Sequence, residues 1–200
     1  DGAGVVESVG TDVRGVNPGD RVYFSGTADA RASGAYAEKA LCNVDQVHHL
    51  PEYVTFAEGA GVGVPYVTAW RALFDKGRAV PGETVLIHGA SGAVGVAAPQ
   101  IARAAGLRVF GTAGSERGRQ LAREQGAHEV FDHSAAGYDK EIVARTGGRG
   151  VDLVVEHVDA EAQPGVGTGT PDELVQARHV SHERLETGRV ERRYLAAALR

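Results

Sequence analysis

Hydrophobic positions along this 200-residue chain follow two different rhythms. Up to about residue 50 they come in short runs broken by turn formers. Gly4-Val-Val-Glu-Ser-Val9 and Arg21-Val-Tyr-Phe24 read as strands, joined through Val16-Asn-Pro-Gly-Asp-Arg-Val22. There Pro18, Gly19 and Asp20 supply turn chemistry between apolar positions. Residues 25–34 read as a loop, and Gly34-Ala-Tyr-Ala-Glu-Lys-Ala-Leu-Cys-Asn43 reads as extended again. Short strands at this spacing predict a small β barrel or a piece of one.

Near Pro51 the rhythm changes. Thr55-Phe-Ala-Glu58 has the form of a capping box and predicts a short helix. Val67-Thr-Ala-Trp-Arg-Ala-Leu-Phe74 has helical spacing. From residue 83 to 155 apolar strands alternate with helical stretches. The predicted strands are Thr84–Ile87, Leu107–Gly111, His128–Phe131 and Val151–Val155, and the helices are Ala93–Ala105, Glu116–Gln125 and Tyr138–Arg145. Such alternation predicts a parallel sheet with right-handed crossovers. Pro99 falls inside the first helix and removes one of its hydrogen bonds. Beyond His157 the alternation stops: a glycine-rich linker is followed by Thr170-Pro-Asp-Glu173, a helix start. Residues 174–200 read as one or two charged helices. The expected division is a β domain over 1–65, an α/β domain over 66–156 and a divergent tail over 157–200.

The first strand of the alternation runs into His88-Gly-Ala-Ser-Gly-Ala-Val-Gly95. Gly89, Gly92 and Gly95 mark the point where strand hands over to helix. In a dinucleotide site the first glycine permits a tight turn, the second admits a pyrophosphate, and the third lets the helix pack on the strand. The helix N-terminus then offers open N–H groups and a positive dipole to phosphate. A phosphate-binding P-loop is excluded, because no Gly-Lys-Ser/Thr follows. A short-chain dehydrogenase is disfavoured, since no Tyr has a Lys four residues later. At the end of the second strand, where an acid would grip the ribose of NAD, stand Thr112 and Ala113. Ser115, Arg117 and Arg119 offer groups for a 2′-phosphate, which favours NADPH. Glu116 argues the other way unless it faces solvent.

Composition trims the alternatives. A net charge of -5 argues against a non-specific nucleic-acid binder, and no apolar run reaches the roughly 20 residues of a membrane span. One cysteine, Cys42, forbids an internal disulfide and a cysteine zinc cage. A reducing cytoplasmic setting fits, and no secretory signal opens the sequence. No base is close to Cys42 in sequence, so it reads as a small buried residue rather than a nucleophile. His179 and His182 share a helix turn by spacing but lack further ligands for a metal. His88 reads as a packing residue at the strand end.

Taken together, Val16–Val22, Gly34-Ala-Tyr-Ala-Glu38, Gly63-Val-Pro-Tyr-Val-Thr-Ala-Trp70, His88–Gly95, Gly111-Thr-Ala-Gly114 and Gly126-Ala-His-Glu-Val-Phe-Asp-His133 resemble the zinc-free quinone oxidoreductases. That is the zeta-crystallin-like branch of the medium-chain dehydrogenase/reductase superfamily, and the match covers roughly residues 1–156. The resemblance implies an α/β fold: a partial Rossmann parallel sheet with helices, preceded by part of a GroES-like β domain. It implies hydride transfer from NADPH to a quinone or related conjugated carbonyl. It places Ser91, Gly92, Ala93 and Val94 on the pyrophosphate, Gly114 near the adenosine ribose, His133 near the adenine-side phosphate and Thr68 near the nicotinamide. The chain starts at Asp1 and departs from the family after His157, so a fragment is expected and no catalytic residue is named. Runner-up readings are an enoyl or alkenal reductase and a dinucleotide-binding fragment without turnover. Without later strands the sheet would expose an edge, so homo-oligomer formation or aggregation is expected.

Overall fold

The structure is a computed structural model that describes residues 1–26 and 34–156, together with the backbone of Arg193–Ala196. Two compact units divide the chain, Asp1–Val67 and Thr68–Arg200.

In the first unit β1 (Gly2–Val5), β2 (Arg21–Phe24) and β3 (Val47–His49) form an antiparallel sheet in the order β1-β2-β3. Gly19 takes the positive φ its turn needs, at 94°. A one-turn 3-10 segment, Val44–Gln46, leads into β3. α1 (Phe56–Ala60) begins with the predicted capping box: the Thr55 hydroxyl accepts from the Glu58 N–H, and the Glu58 carboxylate accepts from the Thr55 N–H. Arg21 holds this turn from the sheet, donating to the Val54 carbonyl at 2.6 Å and lying 4.2 Å over the Phe56 ring. Two expectations are corrected. The first strand lies at Gly2–Val5, earlier than Gly4–Val9. The stretch 34–43 is not a strand: it bends, with Tyr36 fully exposed, and no described strand lies beside it to share a ladder.

α2 (Gly63–Trp70) continues into wider π turns over Arg71–Lys76. The second unit then alternates as its pattern predicts: β4 (Thr84–Ile87), α3 (Ala93–Ala104), β5 (Arg108–Thr112), α4 (Glu116–Glu124), β6 (Glu129–Phe131), α5 (Tyr138–Arg145) and β7 (Leu153–Glu156). With β8 (Arg193–Ala196) the strands are parallel and ordered β6-β5-β4-β7-β8. Counted from β4 this is 3-2-1-4-5, the Rossmann order, whose ligand crevice lies at the carboxyl ends where the order reverses, between β4 and β7. All four residues of β4 are buried, as a central parallel strand requires. Leu86, Phe110, Phe131, Ile142, Val151 and Val154 form a core cluster, with Phe110 and Phe131 edge to face at 5.4 Å. Burying each large apolar side chain stabilises by about 1.5–3 kcal/mol. α4 closes at Gln125 with Gly126 at φ 115°, and α5 is followed by Gly147 and Gly148, both at positive φ.

The tail departs from its reading at one place. β8 (Arg193–Ala196) is a strand parallel to β7, not a helix, and it covers the edge expected to be open. β8 pairs with the outer edge of β7, whose backbone groups would otherwise lack ladder partners. The remaining predictions for the tail, including the helix start at Thr170 and the His179/His182 pair, lie outside the described residues.

Candidate dinucleotide site

The site is built at the carboxyl end of β4. His88 extends the β7 pairing, its N–H donating to the Val155 carbonyl at 2.9 Å, and the chain then turns sharply at Gly89, φ 63°. The turn is closed by the Gly92 N–H donating to the Gly89 carbonyl at 2.9 Å and is tied to β5 by the Ala90 N–H donating to the Thr112 carbonyl at 2.8 Å. Ala90 is fully buried, and a Cβ at Gly111 would stand 2.9 Å from the Ala90 methyl. α3 starts at Ala93 with Gly92 as N-cap, which has no side chain to cap the helix. Its first intrahelical bond runs from the Val96 N–H to the Gly92 carbonyl. The N–H groups of Ala93, Val94 and Gly95 therefore have no intrahelical acceptor. A Cβ on Gly95 would run into the Gly89 carbonyl oxygen, so only glycine lets α3 pack on the turn.

Ser91, Gly92 and Ala93 are exposed on this lip, and Val94 is buried beneath it. α4 approaches the lip closely: a Cβ on Gly118 would lie 3.0 Å from the Ser91 hydroxyl. Ser115 caps α4 by accepting from the Gly118 N–H at 3.1 Å, which leaves its hydroxyl proton free to donate. Gly114 is exposed, and a Cβ there would meet His133 Nε2 at 3.0 Å. Ser91, Ser115, Gly114 and His133 are thus brought together. Arg117 is exposed and has no hydrogen-bond or ion-pair partner among the described residues. Thr68 is buried within α2, and among the described residues no hydrogen bond joins its side chain to the lip.

The charges beside the lip are sorted by Arg119. Its guanidinium donates to Asp132 at 2.7 Å and to Glu116 at 2.8 Å, and Arg123 lies 3.6 Å from the same Glu116. Hydrogen bonding to Arg119 and its charge hold the Glu116 carboxyl below its ordinary value. The Ser134 hydroxyl and N–H, then Arg119, do the same for Asp132. The expectation that Arg119 is free for a phosphate is corrected, since its fork is filled by two carboxylates. The counter-evidence from Glu116 weakens for the same reason: its charge is matched within α4.

One cluster went unread in the sequence. Thr112, fully buried at the end of β5, places its hydroxyl 3.1 Å from His88 Nδ1, 3.4 Å from His133 Nδ1 and 3.3 Å from the Gly89 N–H. Burial pushes the His88 imidazole down from its ordinary value; Glu156 opposes the shift and His133 adds to it. Burial likewise raises the Tyr138 phenol, helped by Asp139 and Glu156, and its ring stands edge-on to His88 at 6.5 Å. The signal was available as two histidines and a threonine at the carboxyl ends of three neighbouring strands. In the first unit, burial raises the Cys42 thiol, opposed by the Asp1 ammonium, which argues against a nucleophile. Among the described residues no cluster of His, Cys, Asp or Glu could hold a metal ion, and no helix is long and apolar enough to cross a membrane.

Residues 1–52 match the alcohol dehydrogenase GroES-like domain family, and residues 93–163 match the family described as zinc-binding dehydrogenase. The quinone oxidoreductase of Rattus norvegicus is 51% identical over 156 residues, which are 78% of this chain and 46% of that protein. The Escherichia coli quinone oxidoreductase complexed with NADPH superposes with a TM-score of 0.69 at 30% identity, over 80% of this chain and 48% of that one. An NAD-dependent alcohol dehydrogenase superposes with a TM-score of 0.73 at 35% identity, over 80% and 53%. The fold, the glycine turn and these likenesses define a member of the medium-chain dehydrogenase/reductase superfamily. Within it these likenesses support the quinone oxidoreductase branch. It spans just under half the length of the curated relatives it matches.

Proposed function

We propose that this chain binds NADPH on the glycine turn and serves hydride transfer from NADPH to a quinone or a related conjugated carbonyl. The observation that carries the reading is the open N-terminus of α3. Three N–H groups face a lip lined by glycine and alanine, with no side chain capping them. A pyrophosphate fits such a lip, because the donors and the helix dipole both favour an anion there. Ser91, Gly92, Ala93 and Val94 would hold it. Gly114, Ser115 and Arg117 would receive the ribose and its 2′-phosphate, with His133 beside them; Thr68 is assigned to the nicotinamide side by resemblance alone.

The choice of NADPH over NADH rests on charge. The β5 end carries Thr112 and Ala113 where an NAD site places an acid. Glu116 is matched by Arg119 and Arg123, while Arg117 remains unpaired among the described residues. The names of the relatives support the quinone reading. Bound NADPH would supply a hydride. The chain's own part is to bind, orient and screen the cofactor. Fluorescence titration with NADPH and NADH, followed by flavin-free turnover with a simple quinone and with a conjugated enone, tests the proposal. Tight NADPH binding with quinone turnover supports it. NADPH binding with enone turnover alone favours the alkenal reductase reading, and binding without turnover favours a dinucleotide-binding chain.

A further inference from the structure

The Thr112 hydroxyl has more claimants than a packing residue needs. A hydroxyl carries one proton and two acceptor lone pairs. The Gly89 N–H donates to one lone pair. Two imidazole Nδ1 atoms then share what remains, at 3.1 and 3.4 Å. Only one can take the hydroxyl proton, and the other must donate its own. The two rings are therefore locked in opposite tautomers wherever both bonds are made.

From this array we propose that Thr112 is the positioning residue of the dinucleotide site, acting through His133. His88 Nδ1–H donates to the Thr112 oxygen, and the Thr112 hydroxyl donates to His133 Nδ1. The proton of neutral His133 then sits on Nε2. That atom is the one facing Gly114, on the side where the ribose and its phosphate are received. Thr112 thus turns a neutral imidazole into a fixed hydrogen-bond donor toward an anion. The same hydroxyl anchors Gly89, the first residue of the glycine turn, and the Thr112 carbonyl anchors Ala90. His88 suits the role of first donor. It is partly buried, burial favours its neutral form, and its ring stands nearly perpendicular to that of Tyr138 with centroids 6.5 Å apart.

This inference rests on the NADPH-binding reading, and its test separates the two. Nitrogen-15 NMR of the histidine rings in the intact chain should show His88 as the Nδ1–H tautomer and His133 as the Nε2–H tautomer. Both rings in one tautomer, or the reverse assignment, would overturn the inference whatever the binding data say. In parallel, Thr112→Val removes the hydroxyl and Thr112→Ser keeps it. NADPH affinity should fall ten- to a hundred-fold in Thr112→Val and return to within about threefold in Thr112→Ser. Adding His133→Ala to Thr112→Val should cost little more than either change alone, because both break one array. A purely structural threonine would give additive losses and no dependence on the hydroxyl, and either result overturns the inference. If the unmodified chain binds neither dinucleotide, the proposed function fails and this inference with it; unimpaired binding by Thr112→Val sinks the inference alone.

Discussion

Two glycines of the turn, Gly95 and Gly92, should fail in different ways, and Gly95→Ala is the more telling. The Cβ it adds would press on the Gly89 carbonyl oxygen and stand 2.8 Å from Ala90 Cα and 2.9 Å from Ala90 C. All three are backbone atoms, so no rotamer can relieve the clash. α3 or the turn must shift by more than about half an ångström, in a region where Ala90, Ala97 and Ala98 are fully buried. Overpacking of this kind costs about 3 kcal/mol at the upper end of its usual range. The better helix propensity of alanine offsets about 1 kcal/mol. The net is a loss of about 2 kcal/mol, or a fall in Tm of about 4–8 °C for a chain of this size. Gly92→Ala is the control. Its Cβ would sit 3.4 Å from the Gly89 oxygen at an ordinary φ of −79°, so stability should fall by under about 1 kcal/mol. The methyl instead occupies the lip, and NADPH affinity should drop at least about tenfold. Thermal unfolding followed by circular dichroism, with NADPH titration of each variant, reads both. A Gly95→Ala chain that melts within about 1 °C of the unmodified one would refute the packing argument. A Gly92→Ala chain with undiminished affinity would refute the phosphate assignment.

Other consequences can be checked on the same preparations. Arg117→Ala should weaken NADPH binding several-fold while leaving NADH binding and Tm unchanged, because the side chain is exposed and unpaired among the described residues; equal losses for both cofactors would remove it from the 2′-phosphate. Asp132 is held below its ordinary 3.8 in the folded chain, so its stabilisation is present above that value and is lost as pH falls through its lower folded value. Asp132→Asn should therefore be less stable than the unmodified chain at pH 7 and flatter in urea titrations between pH 4 and 2. His88 is a base held below its ordinary 6.5, so the folded chain loses stability as pH falls from there toward its folded value, and His88→Gln should flatten that limb. Thr55→Ala should cost about 1 kcal/mol through loss of the α1 capping box, seen as earlier unfolding or faster hydrogen exchange over Phe56–Ala60.

The features that were legible in the residues are those set by local pattern. The unbroken buried run at Thr84–Ile87, the glycines at 89, 92 and 95, and the cap residues Thr55 and Gly126 each announce an element within a few residues of itself. The parallel direction of the strands follows from the alternation, whereas their order is set by which strands pair in the folded sheet. What escaped depends on partners far away in sequence. Residues 34–43 have strand composition but no neighbouring strand to pair with. Arg193–Ala196 sits in charged sequence and becomes a strand only because β7 offers it an edge. The role of Thr112 was half visible: its position marked the missing acid, but the convergence of His88 and His133 on its hydroxyl joins residues 24 and 21 positions away. Arg119 looked free for the same reason, since Asp132 lies 13 residues on.

The most direct test of the central claim is a fluorescence titration of the purified chain with NADPH and, side by side, with NADH. Saturable NADPH binding, clearly tighter than that of NADH and weakened at least about tenfold in Gly92→Ala, is the predicted result. No binding of either cofactor, or NADPH binding untouched by Gly92→Ala, would contradict the assignment of the glycine turn as the dinucleotide site.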